Sequence, residues 1–433
     1  MKINILTFTL LFSVNFMLAQ QPTPAPKQSK IICIKGAKIH TAIGEPIANG
    51  MLIFKDGKIT YVGTENATEL ANANELIDCK GNEIYPGFIA TNSTLGLTEI
   101  EAVRATNDFN EVGQNNANTR SIIAYYTDSK VIPTVRTNGV LMAQVTPRGG
   151  LFSGTSSIVQ LDAWNWEDAA IGYDDGLHLN WPNMSAPSFY NEDGKGPNEK
   201  NKNYEKVIQT IVKFFDDAKA YSLSKPTEIN LRLEAAKPIL LGNKNLYIHA
   251  NQSREIIDAV GIAKQYGISK IVIVGGDDSH LITDFLKQNN VSVMLQRVHS
   301  LPKNNDADVD LPYKKATILQ NAGMLFCLQN EGEMEAMNTR NLPFLAGTTV
   351  AYGLSYNDAV KSLTINAAKI IGIDKTCGSL EIGKDATFFV STGDALDMKT
   401  NNVLFAFIQG RKLELTNVQN ELNNKYKAKY KLK

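Results

Sequence analysis

Five histidines and a few carboxylates hold most of the chemistry this chain offers, and their neighbours say more than their spacing does. His249 closes the apolar run LYIHA, and Glu331 lies just past MLFCLQ, beside Asn330. An imidazole and a carboxylate at the ends of two buried strands suit proton transfer, or help to hold a divalent cation. His299 follows the run VSVML in QRVHSLP and is a candidate for substrate contact. His40 falls among the N-terminal strands, His178 reads as part of a loop, DDGLHLNWP, and His280 opens a helix. Arg148-Gly149-Gly150 and the run Ser153-Gly154-Thr155-Ser156-Ser157 are rich in donors for an anionic group. A rigid lid with Trp164 and Trp166 packed into it is the other reading of that stretch. Glu99, Glu101, Arg104, Asp108 and Glu111 crowd the segment 93–113, as part of a site or as a solvated helix face.

Several chemistries are excluded. The only cysteines are Cys33, Cys79, Cys327 and Cys377, with no Cys-x-x-Cys spacing, so a structural zinc cluster is ruled out. Cys33 and Cys79 either pair in an oxidising compartment or remain buried thiols. No Gly-x-Ser-x-Gly elbow occurs, and the glycines match no phosphate-binding loop. Lys+Arg and Asp+Glu both number 44, and that balance leaves no field to attract nucleic acid. Lys425, Lys427, Lys429, Lys431 and Lys433 concentrate charge at the end of the chain, which reads as a frayed, solvated tail.

The elements that must position these groups follow a clear order. One lysine and then an apolar run make residues 1–19 a secretory signal peptide, cleaved after Ala19, and residues 20–30 a proline-rich linker. Export to a bacterial periplasm is the expectation, with no membrane span left after cleavage. Short alternating strands fill 31–85, with Asp56-Gly57 as a turn. From residue 245 onward, fully apolar strands alternate with amphipathic helices, the pattern of a parallel sheet covered on both faces. Strands return after residue 373, so the two ends of the chain are expected to share one sheet.

The segments 36–63, LIDCKGNEIYPGFIATNSTLGL at 76–97 and NAAKIIGIDKTCGSLEIGKDATFFV at 366–390 resemble the opening and closing signatures of the amidohydrolase superfamily, in particular its imidazolonepropionase-like and dihydroorotase-like members. The resemblance implies an α/β fold, a (β/α)8 barrel over residues 86–373. A flanking β-sandwich would be built from 31–85 and 374–418, and a basic tail would occupy 419–433. It also implies hydrolysis of carbon–nitrogen bonds by one or two divalent metals. These would be held by a His-x-His pair on the first strand, single histidines on the fifth and sixth, and an acid on the eighth. In this chain those positions fall at Asn92 and Thr94, at His249, at Gly275, and near Glu331. An amide, a hydroxyl and a glycine are poor substitutes for imidazole around zinc.

The expectation is therefore an exported amidohydrolase-type protein with a degenerate metal site. His249 and Glu331 would be its catalytic groups, and Asn92, Thr94, Arg148 and His299 its substrate contacts. It would hold no cofactor, or a weakly bound zinc ion at His249. Its partner would be a small molecule, with a homo-oligomer or a complex with an intact relative also open. A catalytically silent accessory protein paired with such a relative is the competing reading.

Overall fold

A computed structural model describes residues 23–186, 199–224, 227–302 and 307–432. The leader read at 1–19 lies outside these residues. Among them, no helix is long and apolar enough to cross a membrane.

The N-terminal strands are β1 (Ile32–Ile39), β2 (Ile47–Lys55), β3 (Lys58–Thr64), β4 (Glu75–Asp78) and β5 (Glu83–Pro86). Asp56 and Gly57, both at positive φ, make the tight reversal between β2 and β3. The barrel strands follow: β6 (Phe88–Ser93), β7 (Val140–Val145), β8 (Phe152–Gln160), β9 (Ala170–Asn180), β10 (Asn245–Ala250), β11 (Ile271–Gly275), β12 (Val291–Leu295) and β13 (Phe326–Leu328). The chain then returns as β14 (Phe388–Ser391), β15 (Val403–Ile408) and β16 (Arg411–Lys412). The first sheet runs β16-β15-β14-β5-β1-β2-β3, with β4 beside β1, so both chain ends build it, as expected. Its core is aromatic: Phe54, Phe388 and Phe407 pack with centroids 5.0 to 5.5 Å apart.

The second sheet runs from β6 to β13 in chain order, and a parallel bridge between Thr91 and Gln329 joins its two edges into a nearly closed barrel. Strict β/α alternation fails at one point. β8 is antiparallel to both β7 and β9, while every other neighbouring pair is parallel. The cause is local. Gly149 and Gly150 sit at φ 81° and 66°, a conformation that suits residues without a Cβ, and they turn the chain back before a crossover helix can form. The Ser/Thr-rich stretch is accordingly barrel wall, with every residue of Phe152–Gln160 buried, and it is neither an anion-binding loop nor a lid. Trp164 lies outside it, largely exposed.

Alternation along the strands sorts the residues into two layers. Ile89, Met142, Ile158, Tyr247, Val272, Val274, Met294 and Cys327 form one apolar cluster inside the ring. Their chain neighbours Phe88, Leu141, Val159, Ile248, Ile273 and Leu295 pack outward under the helices. Helices such as Ser253–Gln265 and Leu311–Asn321 cover that outer face. Ser253–Gln265 starts with a reciprocal cap between Gln252 and Glu255 and buries Ile256, Ala259, Val260 and Ala263. The end of the chain is not frayed: Val418–Tyr430 is a helix, capped by the Asn417 side chain and with no buried residue.

Candidate active site at the barrel mouth

Two residues beyond the apolar layer, several strands change from apolar to polar. Met142 gives way to Gln144, Ile158 to Ser156 and Tyr247 to His249. The register places His178 beside Tyr247 and Asn180 beside His249. His178 is thus an inward barrel residue and not part of a loop, which corrects the sequence reading. Its run GLHLN shows only modest alternation, and the signal was hidden by the charged residues before it.

His178 Nδ1 lies 2.9 Å from His249 Nε2, and His178 Nε2 lies 2.8 Å from Ser156 Oγ. Ser156 in turn donates to Asp175 Oδ1 at 2.8 Å. Asp175 Oδ2 accepts from Gln144 Nε2 at 2.8 Å and from the Tyr247 hydroxyl at 2.5 Å. The His178 ring stacks on Tyr247 with centroids 4.6 Å apart. Burial, and then the charge of Arg148, pull the His249 imidazole down to about 3. Burial, with His249 and Arg148 beyond it, holds His178 well below the usual histidine range. Burial pushes Asp175 up, against the three donors on its oxygens.

A second group gathers around Asn92, which sits in the left-handed region at φ 49°. Its amide donates to Glu331 Oε2 at 3.0 Å, and its side-chain oxygen accepts from Arg148 Nη1 at 2.9 Å. Arg148 also bonds the Asn92 carbonyl and, at 2.8 Å, Glu335, whose carboxylate accepts the Thr94 backbone N–H. Burial works against the Arg148 guanidinium, and the carboxylates of Glu335 and Glu331 outweigh it.

His249, Gly275 and Glu331 line one cavity of about 320 Å³ at the C-terminal end of the barrel, together with Asn183, Gln296 and Arg297. Asn92 stands behind Glu331 and off the wall of this cavity. Arg148 and Thr94 face a neighbouring apolar groove that also contains Phe109, Met334 and Met337, and Gly332 separates the two spaces. His299 is not brought to the mouth. Its ring bonds the Thr348 hydroxyl at 2.7 Å, on the helix Leu342–Ala351, and meets Tyr313 edge-on. Two of the loop acids tie backbone and also line the apolar groove: Glu99 accepts the Lys130 backbone N–H and Glu101 that of Met334.

The donor set does not suit a catalytic metal. Among the described residues, no group of three or more His, Cys, Asp and Glu side chains is placed to hold one. His249 Nε2 is engaged by His178, Glu331 by Asn92, and a fixed guanidinium already touches the first-strand position. Cys33, Cys79, Cys327 and Cys377 are all free and buried.

Residues 257–413 match the model of the amidohydrolase family. A 5'-deoxyadenosine deaminase from Methanobrevibacter smithii is 22% identical over 86% of this chain and 84% of its own. An imidazolonepropionase from Symbiobacterium thermophilum is 22% identical over 78% of this chain and 82% of its own. The exoenzymes regulatory protein AepA of Pectobacterium carotovorum is 27% identical over 38% of this chain, which spans only 35% of that protein. Among solved structures, an amidohydrolase from Thermotoga maritima superposes with a TM-score of 0.77 at 23% identity, over 88% of this chain and 99% of that one.

Proposed function

The chain belongs to the amidohydrolase superfamily, and from that premise we propose that it is an exported hydrolase of non-peptide carbon–nitrogen bonds, cyclic amides among them, acting through His249 and Glu331 with a reduced metal site. At the family level the relatives support a hydrolase acting on such bonds. The observation that carries the finer reading is that both side chains line one cavity at the C-terminal end of the strands, where barrels of this kind place their chemistry. Gly275 lines that cavity at φ 93°, and a Cβ there would meet the Asn251 side chain at 2.5 Å.

In this reading His249 Nδ1 removes a proton from a water molecule as its oxygen adds to the amide carbon, and Glu331 orients the water from the opposite wall. Asn92 positions Glu331 through its amide, and Arg148 fixes Asn92 in turn. Arg148 and Thr94 also border the groove beyond Gly332, where the remote part of a longer substrate would lie. Export rests on the leader at residues 1–19.

The test is hydrolysis of a panel of lactams, cyclic imides and ureides by the full chain, followed by release of acid or amine. His249→Ala and Glu331→Gln are expected to lower turnover by about 10²-fold or more each, as loss of a general base or its orienting partner does. Elemental analysis is expected to find zinc far below one ion per chain. Wild-type turnover in both variants would overturn the assignment of these residues, and stoichiometric zinc would restore the usual metal mechanism.

A further inference from the structure

Beneath His249, the buried groups His178, Ser156 and Asp175 form a hydrogen-bonded line, and the donors at its inner end have fixed directions. Gln144 is the anchor. Its side-chain oxygen accepts the Asn92 backbone N–H at 3.0 Å, so its nitrogen must face Ser156 and Asp175 and donate to both. Tyr247 accepts from Asn245 Nδ2 at 2.8 Å, which turns its own proton toward Asp175. Asp175 Oδ2 therefore receives two donors, and with the carboxylate ionised Oδ1 receives the Ser156 hydroxyl. With its proton committed to Asp175, Ser156 can only accept from His178 Nε2–H. His178 Nδ1 is then a bare acceptor, and the only proton available for the contact with His249 belongs to His249 Nε2. The count closes with both imidazoles neutral and Asp175 ionised, and it leaves a lone pair on His249 Nδ1.

We propose that Asp175, Ser156 and His178 are a proton relay that fixes the Nε2–H tautomer of His249 and carries inward the proton that its Nδ1 accepts. The inference rests on the reading of His249 as the base. When water gives a proton to Nδ1, the Nε2 proton passes to His178 Nδ1, the His178 Nε2 proton to Ser156, and the Ser156 proton to Asp175. One O–H bond of water is broken and one carboxylic O–H is formed, with no imidazolium left behind. The reverse sequence returns a proton through His249 Nδ1 to the leaving nitrogen as the carbon–nitrogen bond breaks. The product line is also fully bonded: protonated Asp175 donates to Ser156, Ser156 to His178 Nε2, and His178 Nδ1–H to His249 Nε2.

His178 meets His249 through Nδ1 and Ser156 through Nε2, and the Ser156 hydroxyl reaches Asp175 Oδ1, so a proton entering at His249 has a bonded path to the carboxylate. Asp175 and Ser156 do not line the cavity of His249 and Glu331 and are positioning residues acting through His178.

The experiment uses the full chain with ¹⁵N-labelled histidine, the His249 resonances being identified by their loss in His249→Asn. Wild type is expected to show His249 as bare Nδ1 and protonated Nε2. In Asp175→Asn, the new amide nitrogen donates to Ser156 and reverses the line, so His249 is expected to appear as Nδ1–H. Hydrolysis by this variant is expected to fall about 10³ to 10⁴-fold, the scale of a wrong-tautomer base. Ser156→Ala is expected to give a mixture of tautomers and Ser156→Thr, which keeps the hydroxyl, the wild-type one. An unchanged His249 tautomer in Asp175→Asn or Ser156→Ala overturns the relay, as does Nδ1–H in the wild type. A tautomer that reverses while His249→Ala keeps full turnover would uphold the line of bonds and remove the base role above it. The two readings therefore fail separately.

Discussion

Replacing Asp162 by alanine tests how the two sheets are joined. Asp162 follows β8 and lies among two guanidinium groups: its oxygens accept from Arg136 Nη1 at 2.8 Å and Arg411 Nη1 at 3.0 Å, and from the Ala25 backbone N–H at 3.0 Å. The three side chains are 7%, 8% and 11% exposed, so this is a buried triad linking the barrel, β16 of the terminal sheet and the N-terminal segment. Burial already pulls Arg136 down against the attraction of Asp162. In Asp162→Ala, Arg411 keeps the Gln160 side chain and two backbone carbonyls, whereas Arg136 keeps only the Leu161 carbonyl. Stranding a buried charge in this way costs about 3 to 5 kcal/mol, most of it here at Arg136. An unfolding entropy of about 2.1 cal/mol/K per residue, over the whole chain, gives about 0.9 kcal/mol/K and hence a drop in Tm of about 3 to 6 °C. Circular dichroism melts of wild type, Asp162→Ala and the doubly substituted Arg136→Leu/Asp162→Leu chain make the measurement. The double variant is expected to recover part of the loss, because it buries no orphan charge at Arg136. A shift in Asp162→Ala of less than about 1 °C would refute the reasoning.

Three other outcomes follow from the same geometry. Hydrogen bonds from His40 first, opposed by burial, and then from Tyr85 hold Glu83 down near 2, against an ordinary value of 4.5. Its contribution to stability is complete above about 4.5 and is lost as pH falls toward 2, so urea midpoints of Glu83→Gln should decline less across that window than those of wild type. A Cβ on Gly176 would lie 2.3 Å from the Tyr247 ring and 2.6 Å from the Asn245 carbonyl. Gly176→Ala should cost about 1 to 3 kcal/mol in denaturant unfolding, and its amide spectra should show Tyr247 displaced from Asp175. Burial raises Cys33 to about 11 and Cys79, Cys327 and Cys377 to about 12. A thiol reagent at neutral pH should therefore leave the native chain unmodified and titrate all four cysteines only after denaturation.

Much of this molecule is legible in the order of its residues. Periodicity reads 245–250, 253–267 and 269–276 as strand, helix and strand, close to the observed Asn245–Ala250, Ser253–Gln265 and Ile271–Gly275, because apolar residues run continuously in the strands and recur at helical spacing between them. The return of alternating strands after residue 373 is enough to join the two chain ends in one sheet. His249 and Glu331 are visible as groups at strand ends, and the cavity between them follows from that placement.

What only the tertiary structure decides is which distant residues meet. The reversal at Gly149-Gly150 makes β8 antiparallel, and this one choice of direction brings Ser156 to His178 and Asp175. His178 and His249 are 71 residues apart, and Arg148 and Glu335 are 187 apart. Their contacts depend on strand register and barrel closure, where a shift of one residue would turn each side chain to the opposite face. Composition and spacing encode the preference of each segment for its own conformation, and the pairing of one segment with another is settled only when all the strands close around a shared core.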